Sequence, residues 1–446
     1  MQKPAIYSNR TFAELAVGES ASSRQTLSQR EADLMAVLAG DSHVLTGWIG
    51  ILLSRLIETR LPGPGTVPLE LELRLAKKVL PGMTVEVVAT VLAKKEPDQV
   101  TLDCRIRDTG GEELAAARLL VRAPAEKVSV CCEALPDVWV NQHARHAELV
   151  ARCRGMRPLV TAVVHPCDGP SLSAALEAAE AGLIEPILIG PRQKIAAAAA
   201  AQGLGIDRFR LVDAPHSHAA AAQAVAMGRA REVEALMKGS LHTDELMHAV
   251  LQGGLQTDRR ISHVYLFDVP GQNRPLFITD AAINIAPDLQ AKRDICRNAI
   301  ELAQALGVPQ PKVALLSAVE TVNSAIPSTV DAAALCKMAE RGQISGGVLD
   351  GPLAFDNAVS PEAARLKGIR SPVAGQADIL VVPDLEAGNM LAKQLTYFNG
   401  ADGAGIVLGA QLPIILASRA DPPRTRIASC AIALLLARTA GKAAAP

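Results

Sequence analysis

One stretch decides how the longer part of this chain folds. It covers residues 374–428 and reads AGQADILVVPDLEAGNMLAKQLTYFNGADGAGIVLGAQLPIILASRADPPRTRIA. Two apolar segments in it, residues 379–382 and 413–416, each run directly into a polar loop that precedes a helix-forming segment. A strand that ends in small polar residues before a helix presents free backbone N–H groups and the positive end of a helix dipole. The pattern predicts an α/β architecture that binds an anion.

The second of these loops contains a residue pair suited to phosphate. Ser418 and Arg419 directly follow the apolar segment. A guanidinium grips two phosphate oxygens at once, so an Arg beside a Ser at a helix start can hold a phosphate. Taken alone, the pair also fits a Ser N-cap followed by a solvent-facing Arg. We expect the function to involve an anionic, phosphorylated small molecule.

Composition excludes several classes of function. With 446 residues the chain is too long for one core, so we expect two or three domains. A net charge of -1 and 2% aromatic residues provide neither the basic field nor the stacking surfaces that nucleic acid requires. The sequence has neither an apolar run of about eighteen residues nor a signal-peptide pattern, which predicts a cytoplasmic protein without a membrane span. The eight cysteines lack zinc-binding spacing, which predicts reduced thiols and no metal site.

The pattern of apolar residues changes along the chain. Residues 1–126 contain two helical segments and several segments with a period near two, which predicts an α+β domain with one helix against antiparallel strands. Residues 127–155 have the composition of a connector. From residue 159 onward, apolar strands alternate with helical segments, which predicts α/β layers around a largely parallel sheet.

Several stretches of the second part carry a family resemblance. It resembles the phosphate acetyltransferase/phosphate butyryltransferase family over roughly residues 156–442, in the order which that family shows. The matching stretches are LMKGSLHTDEL (236–246), FITDAAINIAPD (277–288), SAVETVNSAIP (317–327), LDGPLAFDN (349–357) and residues 371–421. The resemblance implies a two-subdomain fold of the isocitrate/isopropylmalate dehydrogenase type and transfer of an acyl group between phosphate and coenzyme A. It also implies coenzyme A as co-substrate, no bound metal or nicotinamide cofactor, and a homo-oligomer.

The first part resembles a different family, the MaoC-type hot-dog domains of enoyl-CoA hydratases. The matching stretches are FAELAVG (12–18), AGD (39–41), LPGPGT (61–66) and PG (81–82). The whole chain is therefore similar to fused enoyl-CoA hydratase/phosphate acetyltransferase proteins.

The transferase resemblance implies roles for the phosphate-binding pair and leaves the general base open. Arg419 matches the phosphate-binding Arg of the family, and Ser418 matches the neighbouring Ser that hydrogen-bonds at the reaction centre. The family's acetyltransferases have a general-base Asp seven residues after that Ser, where this chain has Thr425. Asp421 is the nearest carboxylate, and it either replaces the base or caps the following helix.

Further substrate-binding residues are expected in the other family stretches. Lys238, Ser240 and Thr243 match the loop that holds the acyl phosphate, although the same loop also fits an ordinary capped helix start with Thr243 as the N-cap. Asp280 and Asn284 are four residues apart, which predicts that they share one helical face. The remaining candidates, which also fit helix caps or loop braces, are Asn323, Asp384 and Asn389.

The hydratase motif in the first part is altered. The family places a His five residues after an Asp, whereas here His43 lies two residues after Asp41. The resemblance therefore implies a hot-dog module retained for packing, dimerisation or CoA-ester binding, with a working Asp41–His43 pair as the alternative. Two other functions stay open for the whole chain: enoyl-CoA hydratase activity, or a catalytically silent CoA-ester-binding protein.

Overall fold

The computed structural model describes residues 6–40, 47–131, 144–270, 272, 274–416 and 422–443. The chain divides into two compact units, Met1–Val140 and Asn141–Pro446. No helix in the described ranges combines the length and apolar character needed to cross a membrane. The seven cysteines in these ranges are free thiols.

Unit 1 contains an antiparallel sheet and two helices. Its elements are β1 (Ile6–Ser8), β2 (Ser20–Thr26), α1 (Gln29–Ala39), α2 (Gly47–Thr59), β3 (Val67–Leu75), β4 (Thr84–Lys95), β5 (Gln99–Asp108), β6 (Glu113–Arg122) and β7 (Ser129–Cys131). Five of the strands form a sheet in the order β2-β4-β5-β6-β3, and β1 pairs with β7 separately. The predicted antiparallel strands are therefore present, and the predicted connector at 127–155 begins with a strand that pairs inside unit 1.

The core of unit 1 lies between α2 and one face of this sheet. α2 buries Trp48, Leu53 and Leu56, and the sheet buries every second residue of β4 and β5. Such alternation is what a sheet with one covered face requires. α1 begins with a capping box, in which the Ser28 side chain accepts from the Glu31 backbone N–H while the Glu31 side chain accepts from the Ser28 backbone N–H.

Unit 2 is an α/β unit built on one large sheet. Its elements are α3 (Ala144–Arg152), β8 (Leu159–Val164), α4 (Gly169–Glu180), β9 (Ile184–Gly190), α5 (Arg192–Gln202), β10 (Arg210–Asp213), α6 (Ser217–Arg229), β11 (Ala235–Lys238), α7 (Thr243–Gln252), β12 (Ser262–Asp268), β13 (Leu276–Thr279), α8 (Leu289–Ala305), β14 (Lys312–Leu316), α9 (Pro327–Glu340), β15 (Val348–Leu353), α10 (Phe355–Val359), α11 (Pro361–Leu366), β16 (Ile379–Val381), α12 (Leu385–Tyr397), β17 (Asp402–Leu408), β18 (Ile414–Ile415) and α13 (Pro423–Ala443). Helix α13 is buried throughout residues 428–436, as its continuous apolar run requires.

The sheet of unit 2 has eleven strands in the order β10-β9-β8-β11-β18-β17-β12-β13-β16-β14-β15. Most neighbours are parallel, as the alternating pattern predicts. The centre differs, because β17 is antiparallel to both β18 and β12, and β12 is antiparallel to β13. The alternating pattern alone did not predict this antiparallel centre.

Because its central strands are antiparallel, the sheet of unit 2 has carboxyl ends of strands at two opposite edges. Strands β8, β11, β18 and β12 run in one direction, whereas β13, β16 and β14 run in the other. We call the edge where the first group ends the β11 edge, and the edge where the second group ends the β13 edge. Loops that follow β11 and β13 therefore leave the sheet at opposite edges.

Candidate active site at the β11 edge

Among the helices that begin at the β11 edge, three follow three adjacent parallel strands. α4 follows β8, α7 follows β11, and α13 follows β18. Neighbouring strands lie about 4.8 Å apart, so the three helix starts fall within roughly 10 Å along the edge. Each helix directs free N–H groups and a partial positive charge outward from its N-terminus. Ligands of open α/β sheets bind at this position, outside the carboxyl ends of the strands.

A close backbone approach fixes the loop after β11. The Gly239 N–H donates to the carbonyl of Val164 at 2.9 Å, and the Ser240 N–H donates to the carbonyl of His165 at 3.0 Å. A Cβ on Gly239 would contact the Val164 carbonyl and lie 2.7 Å from the His165 carbonyl oxygen. Only glycine allows this loop to lie so close to the end of β8.

Lys238 and Thr243 lie at the two ends of that loop. Lys238 is half-buried at the end of β11, and its Nζ donates to the Leu241 carbonyl at 3.2 Å. Thr243 is the first residue of α7 and is half-buried, whereas His242 occupies the N-cap position without a side-chain cap bond. The interpretation of Thr243 as the N-cap was therefore wrong by one residue. The loop carries a cation and two hydroxyls at a helix start, as the sequence predicts.

Ser240 joins this loop to the end of β8. Its hydroxyl donates to the His165 carbonyl at 2.7 Å and lies 3.1 Å from His165 Nδ1. The Cys167 N–H donates to the same hydroxyl oxygen at 3.3 Å. His165 has a φ of 57°, a left-handed conformation that is uncommon outside glycine. The predicted substrate-binding Ser240 is therefore part of a network with a histidine that sequence reasoning missed.

The histidine and the cysteine of this network have shifted pKa values. Burial, with help from the nearby Lys194 charge, lowers the pKa of His165 below its ordinary value of 6.5. Burial raises the pKa of the Cys167 thiol to about 11. At neutral pH the imidazole is therefore uncharged, and Cys167 stays a protonated thiol.

The start of α13 is tied to the start of α4 and to the start of β17. The Arg426 guanidinium donates to the carbonyl of Pro170, in the first turn of α4. Arg424 Nε donates at 2.8 Å to the buried Asp402, the first residue of β17. Leu416, which follows β18, and Pro422, which precedes α13, are thus both placed at the β11 edge. Ser418, Arg419 and Asp421 lie between them, outside the described residues, and so do Asp41 and His43 in unit 1.

An apolar cavity of about 680 Å³ lies farther along the same sheet. It extends between α12 and α10, and Val269 after β12 and Leu276 at the start of β13 contribute to its lining. Both residues belong to the β11 edge because β12 ends there and β13 begins there. Leu391 and Phe355 line its walls.

Asp280 and Asn284 are brought together, but at the β13 edge and not on a helix. Asp280 follows β13, and its two carboxylate oxygens accept from the backbone N–H groups of residues 282, 283 and 284. Asn284 Nδ2 donates to Asp280 at 2.6 Å and to Ile261 at 2.8 Å, and its Oδ1 accepts from Arg260 Nε at 2.9 Å. The predicted helical face was wrong, because the carboxylate caps a loop that precedes α8. Burial raises the pKa of Asp280, and these hydrogen bonds oppose that rise.

Asp384, Asn389 and Asn323 also belong to the loops at the β13 edge. Asp384 caps α12 by accepting from the Ala387 N–H at 2.9 Å, and Asn389 Nδ2 donates to the Ala281 carbonyl at 3.2 Å. Asn323 is exposed and braces its own turn by accepting from the Ala325 N–H at 2.9 Å. These contacts favour the helix-cap and loop-brace alternatives. Substrate binding by these three residues stays a prediction.

His165, which sequence reasoning missed, lies in the same sequence pattern that predicted the other loops of the site. The stretch LVTAVVHPCDGPS is an apolar strand followed by polar residues and a helix start. Its polar residues carry no familiar spacing, so the chemistry became visible only when Ser240 was placed beside it. Across the described ranges, no three His, Cys, Asp or Glu side chains are grouped as a metal site would require.

Solved structures resemble this chain over the α/β part. A branched-chain phosphotransacylase from Enterococcus faecalis V583 is 29% identical, with a TM-score of 0.55, and the match covers 63% of this chain and 99% of that one. A phosphotransacetylase from Streptococcus pyogenes has a TM-score of 0.58 at 21% identity, covering 67% of this chain and 100% of that one, and shows the fold alone. The fold is therefore that of the phosphotransacylases, within a chain of more than one domain.

Sequence comparison narrows the class to one family. The family model described as "Phosphate acetyl/butaryl transferase" matches residues 217–434. A phosphate acetyltransferase of Rhizobium meliloti is 64% identical over 301 residues, which cover 67% of this chain and 95% of the relative. A phosphate butyryltransferase of Clostridium acetobutylicum is 40% identical over 292 residues, covering 65% of this chain and 97% of the relative. This chain belongs to the phosphate acetyl/butyryltransferase family, which confirms the predicted family and the predicted class of enzyme, an acyltransferase.

Proposed function

We propose that this chain transfers an acetyl or short-chain acyl group between coenzyme A and orthophosphate (acyl-CoA + phosphate = acyl phosphate + CoA). The observation that carries the proposal is the 64% identity to a phosphate acetyltransferase over 95% of its length. The convergence of three helix N-termini at the β11 edge supports it, because both substrates carry phosphate groups. Coenzyme A is the co-substrate.

Ser418 and Arg419 are the proposed phosphate-binding pair. They belong to the seven residues, 416–422, that connect β18 to α13, and both described ends of this connection are at the β11 edge. Lys238 and the hydroxyls of Ser240 and Thr243 come from the adjacent strand end. In this arrangement Arg419 and Lys238 neutralise the phosphate, and the Thr243 hydroxyl and helix N–H donors stabilise the oxyanion that develops on the acyl carbonyl.

The position of the family's general-base Asp is occupied by a side chain that cannot act as a base. Thr425 is buried, and its carbonyl accepts from the Ser429 hydroxyl at 3.0 Å. Helix α13 begins at Pro423, so Pro422 is at its N-cap position and Asp421 directly precedes that residue. We assign Asp421 to capping the free N–H groups of the first turn of α13.

We infer that residues 1–126 form a MaoC-like hot-dog domain, joined by a connector at 127–155 to a transferase domain at 156–442. The packing of α2 against one antiparallel sheet supports the hot-dog assignment. The transferase domain is assigned to the isocitrate/isopropylmalate dehydrogenase type, and the antiparallel centre that divides its sheet in two supports that assignment. We expect the chain to form a homo-oligomer, which light scattering on the purified protein would test.

A thiol assay tests the proposed function directly. The purified chain is incubated with coenzyme A and either acetyl, propionyl or butyryl phosphate, and loss of the free thiol is followed with time. We expect enzyme-dependent thiol loss with at least one acyl phosphate, and thiol release when phosphate is added to the corresponding acyl-CoA. The rates across the three acyl phosphates also give the preferred chain length. Binding of coenzyme A without any turnover would instead identify a silent CoA-ester-binding protein.

The same preparation tests the hydratase alternative. Crotonyl-CoA is added without phosphate, and loss of its conjugated double bond is followed. We expect no hydration, because the Asp41–His43 spacing departs from the hydratase motif. Hydration that disappears in Asp41→Asn, together with no acyl transfer, would establish the alternative.

A further inference from the structure

The network at the end of β8 contains a base whose role is not yet assigned. His165 directly follows β8, and β8 pairs with β11, which in turn pairs with β18. The imidazole is therefore at the same edge as the loop that holds Lys238 and Ser240. His165 is also four residues before Gly169, the first residue of α4, and the Pro170 carbonyl of that helix accepts from Arg426 of α13. The described contacts therefore place His165, the loop after β11 and the first turns of α4 and α13 at the same edge of the sheet.

The hydrogen bonds of Ser240 determine which nitrogen of His165 carries the proton. A serine hydroxyl has one hydrogen, and the Ser240 hydroxyl donates it to the His165 carbonyl at 2.7 Å. His165 Nδ1, at 3.1 Å from the same oxygen, must then donate rather than accept. The neutral ring therefore has its hydrogen on Nδ1 and its lone pair on Nε2. Among the described residues Nε2 has no hydrogen-bond partner, and it is not one of the buried polar atoms.

The left-handed backbone conformation of His165 indicates that the surrounding structure holds this residue in one particular position. A φ of 57° is costly for a residue with a Cβ, and such conformations concentrate at functional sites. The conformation places the His165 carbonyl where the Ser240 hydroxyl, the Ser240 N–H and the Cys167 N–H all reach it. The strained backbone and the oriented ring are thus two parts of one network.

From this geometry we propose that His165 Nε2 is the general base that takes the thiol proton of coenzyme A. The proposal rests on the proposed acyl transfer at this edge. The sulfur attacks the carbonyl carbon of the acyl phosphate, and the C–S bond forms as the S–H proton moves to Nε2. The C–O bond to phosphate then breaks, and Nε2 returns the proton to the departing phosphate oxygen. Atoms and charges balance without another reactant, and the base that Thr425 cannot supply comes from a different strand end.

The charged groups around the imidazole agree with this role. Burial and the Lys194 charge keep the ring neutral at neutral pH, whereas Glu245 of α7 and Asp168 at the start of α4 act in the opposite direction. Those two carboxylates have other contacts, since Asp168 caps α4 and Glu245 pairs with His218. The Cys167 thiol, with a pKa of about 11, remains protonated. A neutral imidazole has a nitrogen lone pair that can accept the proton of a thiol, whose ordinary pKa is about 8.5.

The variant His165→Asn removes the proposed base while it keeps the backbone conformation at residue 165. Asn adopts the left-handed conformation more readily than other residues with a side chain, and its amide can donate to Ser240 as Nδ1–H does. It lacks the Nε2 lone pair. We expect kcat for acyl transfer to fall by about 10²–10⁴ with the melting temperature close to that of the unchanged protein. The exposed His248 on α7 provides the matched control, and His248→Asn should leave kcat unchanged.

The pH profile gives the decisive readout. Activity of the unchanged protein should fall on the acid side as His165 becomes protonated, at a pH below the ordinary histidine value of 6.5. In His165→Asn that acidic limb should be absent. His165→Gly, which removes the strain altogether, should regain activity when free imidazole is added. A His165→Asn protein with kcat within a few-fold, or with a lower kcat but the same acidic limb, would overturn the proposal while acyl transfer by the unchanged protein still stands. No transfer by the unchanged protein would overturn both.

Discussion

The β11 edge and the β13 edge of unit 2 both collect polar side chains at the ends of strands, but they use them differently. At the β13 edge Asp280 is 2% exposed, and internal donors occupy both of its carboxylate oxygens. At the β11 edge Lys238, Ser240 and His165 are half-buried, and three helix N-termini point outward beside them. A polar cluster whose hydrogen bonds are satisfied internally holds the fold together, whereas an outward-facing one can act on a substrate.

Two glycines allow the same steric change to be made at each edge. Gly239 lies against the end of β8, and Gly388 of α12 lies against the loop that Asp280 caps. A methyl group at either position would meet backbone atoms that cannot move without shifting a strand end. Alanine at Gly239 and alanine at Gly388 should therefore have a similar packing cost. Comparing the activities of the two variants tests whether acyl transfer takes place at only one edge of the sheet.

The largest effect is expected for Gly239→Ala. The new Cβ would contact the Val164 carbonyl and lie 2.7 Å from the His165 carbonyl oxygen, so the loop must move away from β8. A displacement of about 1 Å in a reacting group costs on the order of 10²-fold in rate. We expect kcat/KM for the acyl phosphate to fall by about that factor, as measured by thiol loss. A variant that folds and keeps its kcat/KM would remove this loop from the site.

A smaller loss is expected for Arg419→Ala. A charge-assisted contact to phosphate is worth about 1.5–3 kcal/mol, so kcat/KM should fall at least about tenfold, with a higher KM for phosphate or the acyl phosphate. Steady-state kinetics in both directions measure the loss. Arg365→Ala is the control, because Arg365 is an exposed side chain on α11 and lies outside the proposed site. Equal kinetics for Arg419→Ala and the unchanged protein would mean that Arg419 is not a phosphate ligand.

Gly388→Ala should affect stability and leave catalysis nearly intact. The added Cβ would lie 2.8 Å from the Asp280 carbonyl oxygen and 2.8 Å from a Val382 methyl group. Overpacking of this kind costs about 1–3 kcal/mol in the free energy of unfolding. Chemical denaturation should show that loss, while kcat/KM of the folded variant stays within a few-fold. A loss of activity as large as that of Gly239→Ala would contradict the distinction between the edges.

The smallest effect is expected for Asp421→Asn. If Asp421 caps α13, the substitution changes little, because Asn is nearly as good an N-cap as Asp. We expect kcat within a few-fold and an almost unchanged melting temperature. A loss of about 10²–10⁴ in kcat with an unchanged melting temperature would instead make Asp421 the base and remove that role from His165.

The strands and helices of unit 2 were largely predictable, whereas the direction of its central strands required one more argument. The predicted strands at 264–267 and 276–279 are separated by eight residues that include a Pro-Gly pair. A parallel pair needs a crossover of about a dozen residues or more, so this short connection already implied an antiparallel pair. The alternation of strands and helices did not reveal the direction of these two strands, because β12 and β13 are as apolar as the parallel strands.

The site was predictable only as separate loops. The spacing of Asp280 and Asn284 fits a helical face, but the Asp280 carboxylate instead binds three successive backbone N–H groups and forms a loop. His165 and Ser240 are 75 residues apart, and their contact depends on the pairing of β8 with β11. No local pattern specifies which parallel strands become neighbours, so that network could not be read from the sequence.

Amide hydrogen exchange with and without substrate tests the central claim most directly. The full chain is saturated with coenzyme A and phosphate, and exchange is compared at the two edges of the unit 2 sheet. The account predicts slower exchange on binding in residues 165–171 and 238–246 at the β11 edge, and no change in residues 280–285 at the β13 edge. Protection confined to residues 280–285, with the β11 edge unaffected, would contradict it.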